Sequence, residues 1–282
     1  NVSQWNEYFE LYKKIPEYKL QNHSMTLSEF KVIFWWEFIH RFLGRLVGIL
    51  FLIPLIFFTI RIGFKKTIKF HLIFLLICLQ GFIGWYMVSS GLVNRIDVSH
   101  YRLALHLIIA FIILSLVLWS FLDYKKINIP VQKINNLLPL IFIFLLFLQI
   151  VIGAFVSGMD AGKIYNSWPL MGTSYFPDDN YIFNLFNLSV FDDPSIVQFI
   201  HRNLAYLIFL YYLVIVFKVL SNKLTQYFKI VSLIGLFLFF QILLGIFTLL
   251  SGAQIFLSSV HQISSIFLIS SSIYFLYLNT KT

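Results

Sequence analysis

The fold class predicted for this chain is an all-α, polytopic membrane helical bundle, and three observations predict it. Of its 282 residues, 59% are hydrophobic and only 12% are charged, roughly half the charged share of a soluble domain. Apolar runs recur seven times, at about 42–62, 69–92, 103–122, 137–158, 200–220, 228–250 and 255–278. Each is close to the roughly 20 residues a helix needs to cross a hydrocarbon core of about 30 Å. The remaining charges alternate between successive loops. Arg61, Lys65, Lys66, Lys69, Lys125, Lys126, Lys133, Lys218, Lys223, Lys229 and Lys281 fall in one set, with Asp123 as the accompanying acid. Asp97, Asp160, Asp178, Asp179, Asp192 and Asp193 fall in the other. By the positive-inside rule the basic loops and the C-terminus face the cytoplasm or matrix. The net charge of +9 therefore orients the chain and does not mark a nucleic-acid surface.

Taken in order, residues 1–36 form a mixed polar and aromatic outer-face segment with patches of helix. Lys13, Lys14, Lys19 and Lys31 balance Glu7, Glu10, Glu17 and Glu29. Trp5, Phe9, Tyr12, Trp35 and Trp36 suit an aromatic belt at the membrane interface. Neither a signal peptide nor a span precedes this segment in the sequence, so a transmembrane helix ahead of residue 1 is expected. Residues 37–122 make a first half, 123–136 a cytoplasmic linker and 137–282 a second half. The second half carries the longest extramembrane loop, 159–199, of a length usual for lids and partner surfaces.

An internal repeat ties the halves together. Adding 161 to a position carries Phe38-Ile39-His40-Arg41 onto Phe199-Ile200-His201-Arg202, Gln80 onto Gln241, Gly84 onto Gly245, and Ser90-Gly91 onto Ser251-Gly252. After Gly252 the register shifts by six, which pairs His106 with His261. One offset held through polar and glycine positions is hard to obtain by chance. The 137–158 span has no first-half counterpart; restoring one gives two pseudo-symmetric four-helix halves, seven of whose helices are in this chain. The glycines at Gly84 and Gly245 allow close approach by a neighbouring helix or a flat ligand.

Chemistry concentrates where Trp35-Trp36-Glu37-Phe38-Ile39-His40-Arg41 opens the first span. Glu37, His40 and Arg41 are three and four residues apart, so a helix puts them on one face. Ionisable groups at such a position call for a partner or a function. His23, His71 and His100 read as solvated or interfacial. His40, His106, His201 and His261 all lie near the outer ends of helices that enter from the same side, one pair per half. Paired neutral imidazoles on facing helices suit a six-coordinate haem in a bundle. Arg41, Arg45, Arg102 and Arg202 stand at the level of its propionates, or else snorkel to lipid headgroups. Glu37 breaks the repeat, because its counterpart is Gln198. A carboxylate one turn from an axial histidine can move protons; it can also simply pair with Arg41. The lone Cys78 allows no disulfide within the chain and reads as a small core residue. These residues fit a haem-modifying oxidoreductase, a bis-histidine membrane cytochrome b-type electron carrier without methyl oxidation, or a repeat-built transporter.

Several stretches together resemble the haem A synthases of the mitochondrial-like, alphaproteobacterial type. They are Pro16-Glu17-Tyr18, Glu29 to Arg41 (EFKVIFWWEFIHR), Gln80 to Leu92 (QGFIGWYMVSSGL), Ser99 to His106 (SHYRLALH), Gly153 to Met171 (GAFVSGMDAGKIYNSWPLM), Gln198 to Tyr206 (QFIHRNLAY) and Gly245 to Gln262. The resemblance implies an enzyme of the bacterial inner membrane, or the mitochondrial one in a eukaryote. It would oxidise the C8 methyl of haem O to a formyl group by successive hydroxylations, with water as the oxygen source, giving haem A for terminal oxidases. It further implies that His201 and His261 ligate the iron of a resident haem b cofactor, that His40 and His106 hold the haem O substrate, and that Glu37 is essential to the chemistry. The implied partners are haem O synthase (protohaem farnesyltransferase), an electron acceptor, membrane lipid and a second copy in a homo-oligomer, with no nucleic acid among them. The single Cys78 agrees with the type that lacks paired cysteines in the outer loop.

Overall fold

The computed structural model describes residues 1–91, 98–125, 127 and 132–280; Leu92, Asp97, Lys126 and Lys281, used above, lie outside them. Among the described residues the chain forms α1 (Val2–Tyr12), α2 (Pro16–Leu20), α3 (Leu27–Ile62), α4 (Phe64–Gly91), α5 (His100–Lys125), α6 (Leu137–Gly158), α7 (Pro194–Ser221), α8 (Phe228–Leu250) and α9 (Ile255–Thr280). The seven from α3 to α9 are long and apolar enough to cross a membrane. The chain is a multi-pass, all-α membrane protein. It divides into two compact units, 1–109 and 110–282, with the boundary inside α5.

In the first unit, α3 starts far ahead of the apolar run that announces it. Thr26 caps it reciprocally: its hydroxyl accepts from the Glu29 amide at 3.4 Å, and the Glu29 carboxylate accepts from the Thr26 amide at 2.7 Å, satisfying two orphan donors of the first turn. The resulting 36-residue helix is about 54 Å long, well beyond a hydrocarbon core of about 30 Å. It runs unbroken through Trp35 and His40 from Leu27. Its extension carries α1, because Trp5 meets Phe34 at 4.9 Å, Phe9 meets Phe30 at 5.2 Å and Tyr12 meets Phe30 at 5.0 Å between ring centroids. Three of the residues expected in an interfacial belt thus form a packed aromatic cluster, while Trp36 stays 72% exposed.

Gly63, at φ +88°, turns α3 into α4; a side chain is disfavoured at such an angle. Thr59 of α3 then meets the His71 imidazole of α4 at 2.9 Å and the fully buried Thr67 hydroxyl at 3.2 Å, so His71 belongs to a helix–helix contact. Cys78, expected in the core, is exposed on α4 beside Leu75, Leu79 and Phe82. The reason is that α4 is apolar all round, so residue type does not tell the lipid-facing stripe from the packed one.

In the second unit α6 packs on α7 and α9, and α8 packs on α9 and α7, which closes a ring of four helices. Phe142, Ile208, Ile215, Ile234, Ile269 and Phe275 fill it, none more than 2% exposed. The Tyr212 hydroxyl donates to the Val231 carbonyl at 3.1 Å, tying α7 to α8, and the C-terminal half of α5 reaches α9 through Trp119 and Tyr277, 5.1 Å apart. At the C-terminal end of α9 the fully buried Asn279 accepts from the Ile134 amide at 3.0 Å and the Tyr227 hydroxyl at 3.1 Å. Its amide donates to the Ile134 carbonyl at 3.0 Å and to Asn136 at 2.7 Å. Asn279→Ala strips partners from several buried groups, each worth about 1–3 kcal/mol. The expected result is a clear fall in the thermal unfolding midpoint of detergent-solubilised protein, with helix content unchanged at temperatures below the transition.

Candidate functional site

Within roughly two turns of the N-termini of α5, α7 and α9 stand His106, His201 and His261; His40 lies farther along the extended α3. His40 and His106 face each other across the first unit, with ring centroids 6.4 Å apart and planes at 63°. Two imidazoles gripping one metal ion need a similar spacing. A metal–nitrogen bond of about 2 Å on each side, plus about 1 Å from each nitrogen to its ring centre, gives roughly 6 Å. In the second unit His201 and His261 lie within electrostatic range of one another.

Three of the four rings rest on glycine. A Cβ added at Gly84 would lie 3.0 Å from His106 Cε1, one at Gly153 3.0 Å from His201 Cε1, and one at Gly245 3.2 Å from His261 Cε1. The Nδ1 atoms of His106, His201 and His261 are buried without a hydrogen-bond partner. An unpaired buried nitrogen is costly unless something outside the chain satisfies it, and a neutral imidazole nitrogen is a ready iron ligand. Among the described residues no group of three or more His, Cys, Asp or Glu side chains could share an ion. Rings seated on bare backbone fit a flat iron tetrapyrrole; the second ring nitrogen of His201, Nε2, meets the Gln149 amide at 3.3 Å.

The helix faces beside the two pairs differ. In the first unit Glu37 and Arg41 form an ion pair with both side chains about half exposed, at 52% and 50%. Arg45 is exposed on α3, and the Arg102 guanidinium lies over the Tyr86 ring at 4.8 Å. In the second unit the equivalent positions hold down the 159–193 loop. Gln198, 2% exposed, donates to the Tyr165 carbonyl at 3.0 Å. Arg202 donates to the carbonyls of Ser167 at 2.9 Å, Tyr165 at 3.0 Å and Leu170 at 3.3 Å. Asn203 accepts from the Tyr175 hydroxyl at 2.6 Å, and the Tyr206 hydroxyl from Trp168 Nε1 at 3.0 Å. The terminal nitrogens of Arg202, read from the sequence as propionate contacts, are given to the loop.

Two aspartates hold that loop in shape. The Thr173 amide reaches the Asp178 carboxylate at 2.6 Å, and the Thr173 and Ser174 hydroxyls reach it at 3.0 Å. Gly172, at φ +85°, leaves the space this carboxylate occupies. Asp179 accepts from Tyr165 at 2.8 Å and from Ser195, on the first turn of α7, at 2.7 Å. The Thr173 amide above all holds the Asp178 carboxyl below the ordinary carboxylate range. At Asp179 partial burial pushes upward, but the Ser195 and Tyr165 hydroxyls outweigh it and the net shift is down. Groups whose pKa is lowered on folding stabilise the fold above their unfolded value, about 3.9, and lose that contribution as pH falls through the lowered one. Amide exchange across 165–179, corrected for its intrinsic pH dependence, should therefore stay flat from pH 7 to about 5 and rise below about 4.

The sequence reading missed Gln149 and Gly153, although Gln-x-x-x-Gly recurs at Gln80/Gly84, Gln149/Gly153 and Gln241/Gly245 and was there to be counted. It also missed the Thr26–Glu29 cap, which Thr-x-x-Glu signals directly. The grip of Arg202 on loop carbonyls leaves no pattern to find.

Comparison with known proteins identifies the family of the chain. Residues 1–273 match the family described as cytochrome oxidase assembly protein. A haem A synthase from Pelagibacter ubique (strain HTCC1062) is 51% identical over 286 residues, covering 100% of this chain and 84% of that protein. Those from Rickettsia felis and Rickettsia prowazekii are 42% and 40% identical, covering 94% and 98% of this chain and 81% and 84% of theirs. By this match along residues 1–273 and these identities, the chain belongs to the cytochrome oxidase assembly family and is similar throughout to haem A synthases.

Proposed function

We propose that the protein is a haem A synthase, an oxidoreductase that converts the C8 methyl of haem O to the formyl group of haem A. The observation that carries this reading is the His40–His106 pair, whose 6.4 Å ring separation suits one iron. In this reading His40 and His106 seat the substrate haem O, and Arg41, Arg45 and Arg102 meet its propionates. His201 and His261 hold the iron of a resident haem b beneath the loop that Arg202 fastens. When bound, that haem supplies one-electron redox chemistry.

The net reaction adds the oxygen of water to the methyl carbon and releases four protons and four electrons; the electrons pass to an external acceptor. Glu37 lies one helical turn from His40 and takes up protons from water and the reacting methyl, with Arg41 holding its carboxylate in position. The half-exposed Glu37–Arg41 pair leaves that face accessible to a substrate that must enter and leave. The buried Gln198 and its loop suit a cofactor that stays. By the distribution of basic residues, the histidine-bearing ends face outward from the bacterial inner membrane. Haem O synthase is the natural source of the substrate.

The test is to purify the protein from a membrane that makes haem O and to chromatograph its extracted haems. Haem b together with haem O or haem A is expected. Haem b alone, or no haem, would overturn the proposal.

A further inference from the structure

Three glutamine–glycine pairs occur in the same relation to three of the four site histidines. Gln80/Gly84 on α4, Gln149/Gly153 on α6 and Gln241/Gly245 on α8 each place the glycine four residues after the glutamine. Each glycine is the wall against which one imidazole rests: Gly84 for His106, Gly153 for His201, Gly245 for His261. In the second unit the glutamine also grips the backbone of the same histidine. The Gln149 amide donates to the His201 carbonyl at 3.0 Å and also meets His201 Nε2 at 3.3 Å, and the Gln241 amide donates to the His261 carbonyl at 2.8 Å. Ser264 adds to the second grip, donating to Gln241 Oε1 at 2.5 Å and to the His261 carbonyl at 2.9 Å.

We infer that Gln-x-x-x-Gly is an imidazole seat, and that Gln149, Gly153, Gln241 and Gly245 are positioning residues that set the direction and rotation of the axial imidazoles; Gly84 does the same for His106. The inference rests on the haem-binding reading above. A histidine on a helix has two side-chain torsions to fix. The glutamine holds the main chain from which the side chain springs, and the bare glycine backbone stops the ring at one rotation. With the ring apex already as close to the glycine as a Cβ would allow, even a methyl group must push it by a few tenths of an ångström. An imidazole so displaced would alter the ligand field of a bound haem iron without removing the bond. Supporting contacts of this kind commonly carry a large share of a metal site's tuning.

The test uses full-length, detergent-purified holoprotein carrying Gly153→Ala, Gly245→Ala or Gly84→Ala, with Gly81→Ala as the control, because a Cβ at Gly81 meets open space. Haem content per protein, the ferric low-spin resonance and the midpoint potential of the resident haem are measured. Gly153→Ala and Gly245→Ala should shift the resonance and the potential at wild-type haem content, or lose the haem. Gly84→Ala should leave that haem's signals unchanged and weaken haem O binding by about tenfold or more. Gly81→Ala should match wild type throughout. Should an alanine variant fail to fold, Gln149→Met and Gln241→Met keep the volume and remove the amide grip, and the same spectral shift is expected. Wild-type resonance and potential in both alanine variants, or in both methionine variants where the alanine proteins are not obtained, would overturn the inference. A wild-type protein that purifies without haem would instead overturn the functional reading beneath it.

Discussion

Glu37→Gln is expected to abolish haem A formation while leaving the resident haem in place, with turnover down by about two to four orders of magnitude, the range general acid–base groups contribute. Glutamine keeps the shape of the side chain and a carbonyl that can still accept from Arg41, so the start of the site should survive. What disappears is a group able to take up and release protons one turn from His40. The chain contains its own comparison, since Gln198 occupies the matching register of the second half and there points into the loop, donating to Tyr165. The substitution makes the first half resemble the second at this position. Membranes carrying the variant should accumulate haem O, and the purified protein should keep its low-spin haem b. Normal haem A levels would remove Glu37 from the mechanism. Loss of bound haem O from the purified variant, with haem b kept, would show that the residue supports structure at the His40–His106 pair.

The spans were legible in the sequence for physical reasons, and so was the pairing of His40 with His106 and of His201 with His261. Crossing a bilayer demands long apolar runs, and ionisable residues inside such runs are rare enough to be noticed. A duplicated architecture also repeats its exceptions at a constant offset, as His40/His201 and Gln80/Gln241 do. The limits of legibility are equally physical. Residues 27–41 mix Glu29, Lys31 and Glu37 with aromatic side chains, so hydropathy alone starts the first span at about residue 42 when the helix begins at Leu27. Burial of Cys78 could not be read from a helix whose every face is apolar. Gln149 and Gly153 escaped because their span has no first-half counterpart against which an offset could be checked. Arg202 sits where a propionate contact was expected, yet its terminal nitrogens go to the carbonyls of residues 165, 167 and 170. Any residue type can offer a carbonyl, so only the folded path of the loop discloses that use.

The division of labour between the two pairs predicts opposite outcomes for histidine removal. His201→Ala or His261→Ala should weaken the hold on the resident haem b by more than about a hundredfold, equivalent to more than about 2.7 kcal/mol, and leave the purified protein largely free of it. Deleting either ring would remove a bond to the iron in the proposed site, and it empties the space beside Gly153 or Gly245, where the imidazole now rests at the limit of contact. Because that space is imidazole-shaped, added imidazole should restore part of the low-spin spectrum in either variant. His40→Ala and His106→Ala should behave differently: haem b stays, haem O is lost on purification, and no haem A is made. The same added imidazole should help haem b retention only in the second-half variants. Haem b lost from the first-half variants and kept in the second-half ones would exchange the two sites. It would also place Glu37 beside the resident cofactor, so the proton-transfer role argued for it would have to be sought elsewhere on the chain.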